Sequence, residues 1–88
     1  MDYTIIVANY NGKHLLDTCL SSLVIQVKDR SRIVVVDNGS VDGSNDHMRR
    51  NWPGVTTLLM DSNTGFTGAN NAGAALSDSE IIVLLNND

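Results

Sequence analysis

The chain has 88 residues, enough for one domain, and a formal net charge of −4. Six Lys and Arg against ten Asp and Glu argue against nucleic acid or an anionic membrane surface as the main partner, because both require clustered cations. Its single cysteine, Cys19, cannot form an internal disulfide and reads as a small buried apolar residue.

Residues 3–8 are apolar and β-branched and end at Asn9-Tyr10-Asn11-Gly12, which predicts a strand followed by a turn. From Lys13 the period lengthens. Leu15, Cys19, Leu23 and Val27 recur every fourth residue, with Leu16, Leu20 and Val24 beside them. This is the apolar stripe of a helix, with Asn11 or Gly12 near its N-cap. Residues 33–36 are a second β-branched run, stopped by Asp37-Asn38-Gly39-Ser40. Its apolar residues are continuous rather than alternating, as in a strand covered on both faces.

Residues 44–51 predict a short helix, with Met48 and Trp52 packing at i and i+4 and Pro53-Gly54 as the stop. Residues 55–60 read as a third strand and Asn63-Thr64-Gly65 as a turn. Residues 66–76 read as a helix of small side chains, with Ala69, Gly73 and Leu76 on its packed side and Asn70-Asn71 on a half-exposed one. Residues 81–85 are a fourth, wholly apolar strand ending in Asn86-Asn87-Asp88. Helices alternating with strands imply a parallel sheet with right-handed crossovers, an α/β, Rossmann-like fold in one unit over residues 1–88. The apolar run at residues 5–8 is too short for a leader or a membrane span.

In an open parallel sheet, ligands bind beyond the carboxyl ends of the strands, where strand order reverses. With the order 3-2-1-4 that point lies between strands one and four, and Tyr10, Asp37 and Asp88 would face one crevice. Each polar turn alone is ordinary turn chemistry; three of them converging on one edge point to a nucleotide site. His14 and His47 read as solvated surface residues. Neither a dinucleotide-binding glycine fingerprint nor a phosphate loop is present.

Four motifs together resemble family 2 glycosyltransferases. They are Ile6-Val7-Ala8-Asn9-Tyr10-Asn11-Gly12, Val34-Val35-Val36-Asp37-Asn38-Gly39-Ser40 with Asp42-Gly43-Ser44, Asn63-x-Gly65-Phe66-x-Gly68-Ala69-x-Asn71-x-Gly73, and Leu84-Leu85-Asn86-Asn87-Asp88. The variants of the first and last are most similar to the rhamnosyltransferase-like branch. The resemblance implies the first, nucleotide-binding half of a GT-A domain. Asn9 and Tyr10 would line the base pocket, and Asp37 would accept a hydrogen bond from a pyrimidine N–H. Asn63 and Gly65 would lie near the ribose or phosphates, beside Asn86 and Asn87. Asp88 would bind Mg²⁺ or Mn²⁺, which suits hard oxygen ligands.

The expected donor is a nucleoside-diphosphate sugar of the UDP or dTDP type, with rhamnose one candidate, and the expected acceptor is a glycan or a lipid-linked sugar. Reaction would be by inversion, in the cytoplasm or at the inner face of a membrane. The family's usual Asp-x-Asp is here Asn86-Asn87-Asp88. The family's acceptor site and catalytic base follow this motif, so the 88 residues alone are expected to be inactive. Strand four, central in the complete fold, is expected to be an open apolar edge prone to self-association. A non-catalytic nucleotide-binding module and a structural fragment are the alternatives. A nucleotidyltransferase is disfavoured because its glycine-rich basic loop after strand one is missing.

Overall fold

A computed structural model describes residues 2–86. Four parallel strands form one sheet in the order β3-β2-β1-β4, as predicted: β1 (Tyr3–Asn9), β2 (Ile33–Asp37), β3 (Thr56–Leu59) and β4 (Ile81–Asn86). Three helices make the crossovers: α1 (Lys13–Gln26), α2 (Ser44–Asn51) and α3 (Gly65–Ala75). A single 3-10 turn, Arg30–Arg32, precedes β2.

The continuous apolar runs of β1 and β2 follow from burial on both faces. On one face Ile5, Val7, Ile33 and Val35 pack with Leu16 and Leu20 of α1 and Met48 of α2. On the other, Ile6, Ala8, Val34 and Val36 pack against Ala69 of α3. Side chains alternate across a strand, so each run feeds both layers.

α1 turns Leu16 and Leu20 into the core, while Leu15, Cys19, Leu23 and Val24 are half-buried along its margin. Burial raises the Cys19 thiol pKa, which makes it a poor nucleophile. α3 starts one residue earlier than predicted, at Gly65, and has ended at Leu76. Leu76 is therefore exposed instead of packed, and Asn70 takes a buried place beside Ala69 and Gly73. β3 is shorter than its run: Val55 and Met60 flank it, both packed against the core.

His47 is not a free surface side chain. Its Nε2 lies 2.7 Å from Asp17 Oδ1, which also accepts from Trp52 Nε1 at 2.8 Å. Asp17 thereby pins α1 to α2 and to the residue that ends α2. The hydrogen bonds from His47 and Trp52 hold its carboxyl below the usual range. Trp52 also packs against the Met48 core, as its i+4 spacing predicts.

β4 borders β1 alone among the described strands, and Ile81, Val83 and Leu84 are each 39–48% exposed. An edge with unpaired backbone groups and apolar side chains is a template for another strand. The 88-residue chain is expected to show a mass above the monomer by light scattering at high micromolar concentration, and Val83→Lys to restore the monomer. A monomeric wild type at that concentration would contradict this.

Candidate functional site

The carboxyl ends of the strands are stitched together before any ligand is considered. Asn38 N–H donates to Asn9 O at 2.8 Å, bridging the ends of β1 and β2. Asn11 adopts a left-handed conformation (φ 50°), which asparagine tolerates. There its N–H donates to Ser40 Oγ at 2.8 Å, and its Oδ1 accepts from Val41 N–H at 2.9 Å. Asp42 then serves two helix starts at once. Its Oδ2 accepts from Lys13 N–H of α1, and its Oδ1 accepts from the N–H and the hydroxyl of Ser44 of α2. Burial works to raise the Asp42 pKa, but these hydrogen bonds outweigh it and hold the carboxyl below the usual range.

Gly39 lets this layer close on the next turn. It has φ +81°, and a Cβ there would stand 2.8 Å from the backbone carbon of Ser62. Beside it, Asn38 binds the 63–65 turn. Its Nδ2 donates to Asn63 Oδ1 (2.9 Å) and Gly65 O (3.1 Å), and its Oδ1 accepts from Thr64 N–H and Thr64 Oγ1 (both 2.9 Å).

These loops enclose a cavity of about 430 Å³ at the carboxyl edge of the sheet, across the ends of β1 and β4. This is where strand order reverses. Asn9, Tyr10, Asn11 and Gly12 line it from β1, His14 and Leu15 from the first turn of α1, Asn38 from the end of β2, and Asn63, Gly65 and Phe66 from the start of α3. Asn86 closes it from β4. Tyr10 and Phe66 are about half exposed (51% and 49%), so each offers an aromatic surface to the cavity. The described lining carries no carboxylate, Lys or Arg side chain.

Of the residues expected in the site, Asn9, Tyr10, Asn63, Gly65 and Asn86 come together here. Asp37 does not line the cavity. It falls on the sheet face of Ile33 and Val35 and is 1% exposed. Its Oδ1 accepts from Ser40 N–H at 3.3 Å, while Oδ2 has no hydrogen-bond partner among the described residues. Period-two alternation would have placed Asp37 under α1 and α2 and directed attention to Asn38. His14 was expected at the surface and is exposed, but at the rim of the cavity. Phe66 and Leu15 carried no polar signal that could have singled them out.

Asn87 and Asp88, the latter expected to bind metal, lie outside the described residues. The described residues contain no group of three His, Cys, Asp or Glu side chains that could hold a metal ion. β4 does carry the chain to the cavity rim at Asn86.

A polar cavity at the order reversal of an open α/β sheet lies where such domains bind their ligands. The model of glycosyl transferase family 2 matches residues 4–88, and the chain belongs to that family. It is 32% identical over 91 residues to an uncharacterized glycosyltransferase, alr2836, of Nostoc sp. (strain PCC 7120), covering 100% of this chain and 28% of that protein. It is 29% identical over 90 residues to glycosyltransferase AglE of Haloferax volcanii, covering 97% of this chain and 30% of that one. Among solved structures, the mannosyltransferase PcManGT of Pyrobaculum calidifontis, in complex with GDP-Man and Mn²⁺, superposes with a TM-score of 0.81 at 29% identity. That match covers 98% of this chain and 27% of the mannosyltransferase. The chain thus spans roughly a quarter to a third of the length of the curated relatives it matches.

Proposed function

We propose that this chain is the donor-binding part of a glycosyltransferase and holds a nucleoside-diphosphate sugar in the cavity at the carboxyl edge of its sheet. The observation that carries the reading is the convergence of Asn9, Tyr10, Asn63, Gly65 and Asn86 on that one cavity at the order reversal. Tyr10 supplies a face for the base, and the asparagine amides supply donors and acceptors for base edge and ribose. The described lining carries no carboxylate, Lys or Arg side chain, so charge on a diphosphate falls to the starts of α1 and α3 and to a divalent cation. Asp88 would hold that cation, Mg²⁺ or Mn²⁺, which would neutralise the leaving diphosphate. The metal-bound GDP-Man complex of the structural neighbour supports this part of the reading.

UDP or dTDP is the favoured nucleotide by resemblance, and GDP is the competing one. An inverting transfer to a glycan or lipid-linked acceptor, with a general base supplied from outside these 88 residues, completes the proposal. Calorimetric titration with UDP, dTDP and GDP, with and without Mn²⁺, tests it. One nucleotide should bind, more tightly with metal. Tyr10→Ala should weaken binding roughly tenfold with little change in melting temperature, because the ring is exposed. No binding of any of the three at millimolar concentration would overturn the donor-site reading.

A further inference from the structure

Asn38 stands out because its amide is fully used inside the protein. An asparagine side chain has two N–H donors and an oxygen with two lone pairs. Here both donors go to acceptors of the 63–65 turn, Asn63 Oδ1 and Gly65 O, and both lone pairs are taken by Thr64 N–H and Thr64 Oγ1. Asn38 itself is 4% exposed, so on its side a polar group left without its partner is costly. Although Asn38 touches the cavity, it cannot bind a ligand through its amide without giving up a bond to the turn.

Asn63 completes the arrangement. Its Oδ1 accepts from Asn38 Nδ2 and from Gly65 N–H at 2.8 Å, so both lone pairs are filled. That fixes the Asn63 amide at the cavity wall and leaves its Nδ2 as the group available to a ligand. Phe66 follows directly, on the first turn of α3. We propose that Asn38 is a positioning residue: it locks the 63–65 turn so that Asn63 Nδ2 and the Phe66 ring form a preorganised wall of the nucleotide cavity. This rests on the donor-site reading above. Preorganisation raises affinity by removing the ordering cost from the binding step.

The position suits an amide, since its two N–H donors and the two lone pairs of its oxygen are all used here. Asn38→Asp keeps the shape and the bonds from Thr64 but sets a carboxylate oxygen against Asn63 Oδ1 and Gly65 O. Protonation restores one donor. The nucleotide that binds wild type best should therefore bind Asn38→Asp roughly tenfold more weakly at pH 7.5, and the gap to wild type at the same pH should narrow at pH 5. A merely structural defect would give a gap that does not close on acidification. Thr64→Val, which removes only the hydroxyl donor from an exposed residue, should cost roughly threefold and serves if Asn38→Asp does not fold. Wild-type binding with an unchanged Asn38→Asp, or with a gap equal at both pH values, would overturn the role of Asn38 alone. If Asn38→Asp does not fold, an unchanged Thr64→Val would do the same. Wild type that binds no nucleotide would overturn this inference and the donor-site reading together.

Discussion

Gly73→Val is expected to lower the melting temperature of the chain by more than about 12 °C. Gly73 lies on the sheet side of α3, and a Cβ there would stand 2.8 Å from Ile6 Cγ2, 3.0 Å from Val36 Cγ2 and 3.2 Å from Ile6 Cδ1. Both neighbours are wholly buried on the two central strands, and β-branched side chains have little rotamer freedom to yield. Two opposing effects apply to alanine. It favours the helix by about 0.5–1 kcal/mol over glycine, while overpacking costs about 1–3 kcal/mol. Gly73→Ala should therefore be mildly destabilising.

Valine adds two further methyl groups to the same gap, and its overpacking should exceed about 3 kcal/mol. Domains of this size have little stability to lose. At about 4–8 °C per kcal/mol, the melting temperature should fall by more than about 12 °C. Circular dichroism against temperature reads this directly. A Gly73→Val protein melting within a few degrees of wild type would mean that α3 does not sit this close to the sheet. Because α3 carries Gly65 and Phe66 to the cavity, its close approach also sets one wall of the site.

The same helix shows where the sequence was informative and where it was not. Its small residues predicted close packing, and Ala69 and Gly73 do face the sheet. Leu76 was assigned to that face by spacing, but the helix ends before it, so the period no longer applies. β2 was legible because residues 33–36 are apolar throughout, as in a strand covered on both faces. Asn9, Tyr10 and Asn86 were legible for a topological reason, since turns after parallel strands collect at one edge, whereas Asn63 and Gly65 were expected only from the family resemblance. Asn38 was not legible, because its part is played through four hydrogen bonds to residues 63–65, a contact between turns far apart in sequence that no local pattern encodes.

Asp42→Ala is the second large effect, expected at about 2–3 kcal/mol. An N-cap residue is worth about 0.5–2 kcal/mol, and Asp42 serves two helix starts. Neither has a side-chain cap from its own N-cap residue, since Gly12 and Gly43 occupy those places. Ser44 is 1% exposed, so its hydroxyl would also be left without its partner. Asp42→Asn separates the two functions. It can keep the acceptor for Ser44 but sets an N–H donor against Lys13 N–H, and should lose roughly half as much stability.

The charge gives an independent check. The folded pKa of Asp42 is lowered, so its contribution is present above the unfolded value, near ~4, and is lost as pH falls through the folded value. The stability gap between wild type and Asp42→Ala, measured by urea unfolding, should be full at pH 7 and shrink as the pH is taken below 4. Taking the difference removes the parallel contribution of Asp17, which both proteins share. A gap constant from pH 7 to pH 2.5 would show that the carboxylate charge has no part in holding the two helix starts, and that shape alone accounts for the loss.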